Sequence, residues 1–364
     1  MAEAAISTSD PHVIIERLGG LGVLRLNRPK ALNSLTLDMV RTIAAALDDC
    51  GKDPNIGLVL IEGAGERGLC AGGDIRAIYE SGRKSDGEAA DFWREEYELN
   101  ARIASFAKPY IAFMDGIVMG GGVGVSVHGS HRVVTERTRL AMPETGIGFV
   151  PDVGGTWVLA HAPGEIGTYL ALTGETIGAG DAIYAGLADA LVPASDLPKL
   201  REALALLGAA ATPDKVSEAI AGVAQTPPTG LFEQQSAVID ATMQSKNVEE
   251  IVDALNRFGS QFATKTAETI VAKSPTSLKL TLYLLRLARF APDLEACLVK
   301  EYRAATSLLK GHDFYEGVRA AVIDKDRQPR WSPAALQEVQ DEAIAALLLP
   351  KPSEPLFPKK EALS

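Results

Sequence analysis

The chain has 364 residues, 46% of them apolar, and a formal net charge of −11. This length and composition predict one large domain or two moderate ones with a substantial core, and the acidic balance offers no basic face to nucleic acid. No apolar run reaches the roughly 18 residues of a membrane helix, and three scattered cysteines are too few for a disulfide framework.

The N-terminal segment carries no recognisable targeting signal. Its sequence, MAEAAISTSDPH, is acidic, contains no arginine and has no charged stretch followed by an apolar one, so it does not resemble a secretion signal or a transit peptide. The chain has no C-x-x-C pair, and its five histidines show no metal-ligand spacing. We therefore expect a cytoplasmic protein in a reducing setting, without a metal.

The next elements predict the start of an α/β fold. Residues 12–17 and 22–26 are short β-branched runs separated by two glycines, which is typical of a β-hairpin. Residues 34–47 have apolar side chains at helical spacing, and residues 57–62 have the apolar run of a buried strand. A glycine-rich loop, GLCAGGDI, follows at residues 68–75.

A helix rich in charge is predicted over residues 86–106. Such a run is usually a solvated face, and Glu95 fits that interpretation. The strand expected from residue 110 to 114 then leads into the glycines at 120–122.

The stretch from Gly116 to Gly155 indicates a catalytic site. If a helix begins near Gly121, its first N–H groups lack helical partners and carry the positive end of the helix dipole. Glycine also lets a ligand approach the backbone. Together with the loop at 68–75, these donors predict a two-pronged oxyanion hole. The alternative is tight packing of a helix start against a strand, and the glycines fit neither a P-loop nor G-x-G-x-x-G.

Two carboxylates eight residues apart, Glu144 and Asp152, each follow a proline in this stretch. Proline fixes its own φ and helps to hold each loop stiff, so the pattern predicts a coupled acid/base pair. Cys70 as a nucleophile, with His128 or His131 as its base, is an alternative. A cysteine in such a segment more often packs as a small apolar residue, and such histidines more often satisfy backbone groups.

The C-terminal half is predicted to be helical. Residues 158–192 and, after a composition shift, residues 196–310 have amphipathic helical spacing, with one clear apolar face over residues 276–290. The proline-rich segment 349–364 is expected to be a mobile tail.

Several motifs resemble one known family. The loops LCAGGDI and MDGIVMGGGVG, followed by AMPETGIGFVPDVGG, are similar to the enoyl-CoA hydratase/isomerase (crotonase) superfamily. Three further segments resemble its 3-hydroxyisobutyryl-CoA hydrolase branch: FWREEYELN at 92–100, SVHGSHRV at 126–133 and HDFYEGVRAAVIDKDRQPRW at 312–331. The resemblance covers roughly residues 12–332.

The resemblance implies an α/β fold with a crotonase-like ββα spiral core over residues 10–195. A helical C-terminal region would follow over 196–332, and a C-terminal helix and mobile tail over 333–364. It also assigns roles to residues. The implied catalytic residues are Glu144 and Asp152, the oxyanion donors Ala71 and Gly121, the substrate-binding residues Glu96, Gly73, Asp74 and Ile75, and the CoA-binding residues Arg28, Lys30 and Ala31.

One departure from the superfamily pattern bears on the reaction. A hydratase uses two glutamates, of which the second matches Glu144, whereas the position of the first is Gly124 in this chain. Asp152 stands where a typical hydratase has glycine. The resemblance therefore implies a thioesterase of valine breakdown that hydrolyses 3-hydroxyisobutyryl-CoA, with 3-hydroxypropionyl-CoA as a companion substrate. It also implies that Glu96 accepts a hydrogen bond from the 3-hydroxyl.

The resemblance also implies the binding partners. The substrate is an acyl-CoA, and no separate cofactor is expected because CoA is part of that substrate. Neither nucleic acid nor membrane is an expected partner, and a homo-oligomer is left open. The alternatives are an enoyl-CoA hydratase/isomerase and a non-catalytic acyl-CoA-binding protein.

Overall fold

The computed structural model of this protein describes residues 11–351, 354–355 and 357. The predicted absence of a targeting signal falls mainly on residues 1–10, outside the described part. Most of the predicted tail, residues 352–353, 356 and 358–364, also lies outside it.

The described residues contain nine strands in two sheets. In chain order they are β1 Val13–Leu18, β2 Leu21–Leu26, β3 Leu58–Gly63, β4 Gly68–Cys70, β5 Tyr110–Met114, β6 Ile117–Met119, β7 His131–Val134, β8 Arg139–Ala141 and β9 Ala190–Leu191. The larger sheet has the order β1-β2-β3-β5-β7-β9, and the smaller has the order β4-β6-β8.

The two sheets are built as a spiral. β1 and β2 form the predicted antiparallel hairpin, and every other pairing is parallel. The successive pairs β3–β4, β5–β6 and β7–β8 each give one strand to each sheet. This arrangement confirms the α/β fold with a ββα spiral core.

Sixteen α-helices are described along the same residues. They are α1 Leu37–Lys52, α2 Ile75–Lys84, α3 Glu88–Ala104, α4 Gly121–Val127, α5 Gly155–Ala160, α6 Ile166–Thr173, α7 Ala179–Tyr184, α8 Leu197–Leu207, α9 Pro213–Ala221, α10 Leu231–Met243, α11 Val248–Phe258, α12 Gln261–Val271, α13 Pro275–Ala288, α14 Leu294–Leu308, α15 His312–Val318 and α16 Asp341–Leu347. The run from α8 to α16 confirms the helical C-terminal region.

Both faces of the larger sheet are buried, and the strand period of two decides which side chain lies on which face. On β3, Leu58 and Leu60 face α8 and α9, whereas Val59 and Ile61 join the main core on the other side. That main core contains residues of the spiral and of α10 to α16. The proposed domain boundaries after residues 195 and 332 stay a prediction.

Capping side chains and backbone conformation define the helix ends more closely than the spacing of apolar residues does. Helix α1 begins at Leu37 rather than at residue 34 because the Thr36 side chain accepts a hydrogen bond from the Met39 amide. The preceding Leu32 and Asn33 have positive φ, which a helix does not accommodate. Among the described residues, none of the helices combines the length and apolar character needed to cross a membrane.

Candidate active site

A cavity of about 130 Å³ lies where the loops after β4, β6 and β8 approach α3. Seven of the predicted site residues line it: Ala71, Gly73, Ile75, Glu96, Gly121, Glu144 and Asp152. The remaining lining residues include a stacked aromatic pair, Trp93 and Phe149, with ring centroids 5.3 Å apart. The cavity therefore combines an apolar wall with three carboxyl groups.

In the first loop, the amide that is free to donate to a ligand is that of Gly73 rather than Ala71. The Ala71 amide already donates to the Leu32 carbonyl at 3.0 Å, so the prediction that it points to the substrate is wrong. The neighbouring Gly73 amide has no hydrogen-bond partner within the described residues. The sequence could not separate the two, because the partner carbonyl is 39 positions upstream.

A second free amide at the cavity is that of Gly121, the first residue of α4. Its amide is at a position without a helical partner, as predicted. A Cβ built on Gly121 would lie 3.2 Å from the Gly73 nitrogen and 2.6 Å from Oε1 of Glu96. The two loops thus approach closely, and a side chain at position 121 would occupy the space in front of the donors.

Glu144 and Asp152 reach the cavity from two turns after β8. Glu144 begins a 3-10 helix, Glu144–Ile147, and its Oε2 is buried without a hydrogen-bond partner among the described residues. Asp152 is also buried and accepts a hydrogen bond from the Tyr97 hydroxyl at 2.6 Å. The predicted pair is therefore brought together, with one oxygen of Glu144 free for substrate or water.

Glu96 and Glu95 lie on different sides of α3. Glu96 is buried and its Oε1 has no partner within the described chain, whereas Glu95 forms a salt bridge with Arg41 at 2.7 Å. The helical turn therefore places one of two adjacent glutamates at the cavity and the other at the surface, as predicted.

All three cavity carboxyls have a raised pKa. Burial is the largest cause and raises the pKa of Asp152 to about 7. Burial, followed by the charge of Asp152, raises the pKa of Glu96 and of Glu144 well above the ordinary value. Such a cluster retains protons at neutral pH and titrates as a coupled unit. It can consequently both donate and accept protons.

Tyr97 and Glu301 were missed by sequence analysis. Tyr97 is buried and bonds to Asp152, and Glu301 accepts hydrogen bonds from Gly154 and Thr156 just after it. Both partners are distant in sequence, so no local motif indicates them. The position of Tyr97 directly after Glu96 was the one available signal.

The predicted CoA-binding residues do not line the cavity. Arg28 forms a salt bridge with Asp74 at 3.0 Å and donates to the Ser34 carbonyl at 2.7 Å. Asp74, which was predicted to bind substrate, is also absent from the cavity lining. Lys30 and Ala31 are exposed in the 3-10 helix Pro29–Ala31. Their role in CoA binding stays a prediction.

The geometry does not favour Cys70 as a nucleophile. Its thiol is fully buried, and burial raises its pKa to about 12, so the reactive thiolate is scarce. His128 uses Nε2 to bond to the Val153 carbonyl at 2.7 Å, and His131 contacts Ser130 and Ser217. Both rings are thus occupied by local polar groups.

Comparisons with known proteins point to one family. A family model described as enoyl-CoA hydratase/isomerase matches residues 21–348. A protein of Gallus gallus named 3-hydroxyisobutyryl-CoA hydrolase, mitochondrial, is 45% identical over 92% of this chain and 88% of its own length. The protein of the same name from Homo sapiens is 44% identical over 92% and 87%.

Solved structures give the same superfamily. A crystal structure titled as a carnitinyl-CoA dehydratase from Mycobacterium thermoresistibile has a TM-score of 0.91 and 44% identity, covering 96% of this chain and all of that one. An enoyl-CoA hydratase structure from Rhodobacter sphaeroides has a TM-score of 0.86 and 41% identity, covering 93% and 98%.

These relatives correct one prediction and confirm another. The expected cytoplasmic location is contradicted, because the curated relatives are named mitochondrial. The number of cysteines reports only on the redox setting and does not separate the cytoplasm from another reducing compartment. The predicted superfamily is confirmed, and the chain belongs to the enoyl-CoA hydratase/isomerase (crotonase) family.

Proposed function

We propose that this chain hydrolyses 3-hydroxyisobutyryl-CoA to the free acid and CoA, a step of valine breakdown. The observation that carries the proposal is the placement of Glu144 and Asp152 at one cavity with the free amides of Gly73 and Gly121. The names and high identity of the curated relatives support the same substrate.

The two amides are suited to the thioester oxygen. As the carbonyl carbon is attacked, negative charge develops on that oxygen, and preorganised N–H donors stabilise it. Gly73 and Gly121 supply these donors from two loops that the spiral brings together. One such donor contributes about 3–4 kcal/mol to the barrier reduction.

The carboxyl groups carry the bond-making step. Ionised Glu144 attacks the thioester carbon itself, giving a mixed anhydride, or removes a proton from the water that attacks. In either route the C–S bond breaks and CoA leaves as thiolate, which then takes up a proton. In the first route water then hydrolyses the mixed anhydride, which releases the free acid and regenerates the Glu144 carboxylate. Asp152, held by Tyr97, orients the water and exchanges its proton.

Enoyl-CoA hydration is the rival function, favoured by the titles of the two structural relatives. Hydration by the two-glutamate mechanism needs a second carboxylate at position 124, which is glycine here. A Cβ at Gly124 would lie 2.7 Å from Cβ of Val153 and 2.9 Å from Nδ2 of Asn100. The packing therefore has no space for a glutamate at that position.

The experiment is a direct comparison of the two reactions. Thiol release is followed with a thiol reagent for 3-hydroxyisobutyryl-CoA, 3-hydroxypropionyl-CoA and isobutyryl-CoA, and hydration is followed by the loss of 2-enoyl-CoA absorbance. We expect thiol release that is fastest with the 3-hydroxyacyl substrates. Hydration without thiol release would contradict the proposal, and binding without either reaction would indicate an acyl-CoA-binding protein.

A further inference from the structure

Glu301 is a buried acid that the proposed reaction does not use directly. It lies in the middle of α14, is 0% exposed and is absent from the cavity lining. No ion pair to it is found among the described residues. Because a buried carboxylate without a cationic partner is costly, its contacts must account for its presence.

Those contacts are made to the turn that follows Asp152. Oε2 of Glu301 accepts a hydrogen bond from the Gly154 amide at 2.7 Å, and Oε1 accepts one from the Thr156 amide at 2.9 Å. The Thr156 hydroxyl donates a further short hydrogen bond to Oε1. Three donors from the start of α5 therefore converge on one side chain of α14.

The turn itself has an unfavourable backbone. Val153 has φ +53° and Gly154 has φ +77°. A β-branched residue at positive φ costs about 1–3 kcal/mol and persists only where its surroundings determine it. His128 supplies one restraint through the Val153 carbonyl at 2.7 Å. Glu301 supplies a second restraint through the Gly154 and Thr156 amides.

We propose that Glu301 is a positioning residue for the thioester hydrolysis proposed above: it fixes the strained turn 152–156 and so aims the Asp152 carboxyl at the cavity. Asp152 contacts Tyr97 and lines the cavity, whereas Glu301 lies outside the lining and bonds to the Gly154 and Thr156 amides and to the Thr156 hydroxyl. The proposal rests on the proposed function for its kinetic consequences, but its structural part does not.

The charge of Glu301 gives the proposal a second readout. Burial raises the pKa of Glu301 and of Asp152 to about 7 each, and the negative charge of Glu301 adds to the rise at Asp152. Removal of that charge should therefore make Asp152 ionise at lower pH. The other titratable groups that face this pair are Glu96 and Tyr97 on α3, His128 after α4, Glu144 in its 3-10 helix and Cys297 on α14.

The test is Glu301→Gln in the full chain, measured for thiol release across pH. We expect kcat to fall about 10- to 100-fold, the loss typical of a displaced catalytic group, with KM nearly unchanged. The acid limb of the kcat profile should move to lower pH. Glu165→Gln is the control, since Glu165 is also buried but is paired with Arg286 and Arg289; it should alter thermal stability without moving the pH profile.

A second variant with a smaller structural change provides the test if Glu301→Gln does not fold. Thr156→Val removes one donor and leaves the carboxylate in place, so kcat should fall by a smaller factor, and Thr156→Ser should restore it. Wild-type kcat in Thr156→Val, together with either an unfolded Glu301→Gln or one with an unmoved pH profile, would overturn the proposal.

A measurement without substrate separates this proposal from the proposed function. The titration of the Asp152 carboxyl is followed by ¹³C NMR in the unliganded wild type and in Glu301→Gln, or in Thr156→Val if that variant alone folds. A shifted or broadened Asp152 titration supports the positioning role even if no thioester is hydrolysed. An unchanged titration would overturn it even if wild-type hydrolysis is fast.

Discussion

At the scale of single residues, the hydroxyl of Tyr97 lowers the pH at which Asp152 ionises. Its hydrogen bond to Oδ2, at 2.6 Å, stabilises the ionised form and lowers a pKa that burial otherwise raises. A carboxyl with a pKa of about 7 exchanges protons readily at neutral pH. The tyrosine thus keeps a buried acid usable as a base.

The Tyr97→Phe variant tests that role. Without the hydroxyl the pKa of Asp152 should rise, so the acid limb of the kcat/KM profile for thiol release should move to higher pH. At pH 6 the variant should lose more activity than at pH 8.5. A limb at the wild-type position would show that Asp152 is not the group that titrates.

Glu96 is the residue expected to recognise the substrate hydroxyl. Its Oε1 has no partner among the described residues and would lie 2.6 Å from a Cβ built on Gly121, so it is next to one of the proposed oxyanion donors. A site built to bond a hydroxyl discriminates strongly against analogues that lack it.

Replacing Glu96 should therefore slow hydrolysis of the 3-hydroxyacyl substrate more than hydrolysis of the analogue that lacks the hydroxyl. In Glu96→Gln, the ratio of kcat/KM for 3-hydroxyisobutyryl-CoA to that for isobutyryl-CoA should fall about tenfold or more. Glu95→Gln is the matched control, because Glu95 pairs with Arg41 at the surface. Equal ratios in the two variants would show that Glu96 does not recognise the substrate hydroxyl.

At the scale of elements, the contact between α4 and the turn after Asp152 separates this chain from a two-glutamate hydratase. Gly124 lies in α4, and its missing side chain leaves the space that Val153 fills. A side chain at position 124 would therefore overlap Val153 and disturb the turn that carries Asp152.

The Gly124→Ala variant tests this packing. Its Cβ would overlap Val153, so we expect a loss of about 1–3 kcal/mol in the free energy of unfolding and a marked loss of thiol release as Asp152 is displaced. Gly178→Ala is the control, because a Cβ there meets nothing within 4 Å. Equal stability and activity in both variants would contradict the account.

The sequence predicted which loops and residues form the site, but it did not predict their hydrogen-bond partners. The glycine loops, the start of α4 and the two carboxylates were predicted, since each has a local signal of spacing or residue type. The use of Gly73 instead of Ala71 was not predicted, because a carbonyl of Leu32 takes the Ala71 amide. Glu301 was missed for the same reason: its partners are over 140 positions upstream.

At the scale of the whole molecule, the buried acids make stability depend on pH. Burial raises the pKa of Glu144 above its unfolded value, so the folded state binds more protons than the unfolded state as pH rises from about 4.5. The slope of unfolding free energy with pH is then negative. This contribution is present in acid and is lost as pH rises through the folded pKa.

The Glu144→Gln variant removes that penalty. Its melting temperature should exceed that of the wild type, with a difference that is small at pH 5 and larger at pH 8. Glu95→Gln should behave in the opposite way, because Arg41 holds the pKa of Glu95 below its ordinary value. A constant difference across pH in Glu144→Gln would show that Glu144 is not kept protonated by burial.

The most direct test of the whole account is thiol release from 3-hydroxyisobutyryl-CoA by Glu144→Gln and Asp152→Asn, with Glu95→Gln as the control. Loss of a general acid or base typically costs about 10²–10⁴-fold, so we expect both cavity variants to lose at least 100-fold in kcat while the surface variant retains the wild-type rate. Wild-type turnover in Glu144→Gln and Asp152→Asn would contradict the claim that these two carboxyls carry the hydrolysis.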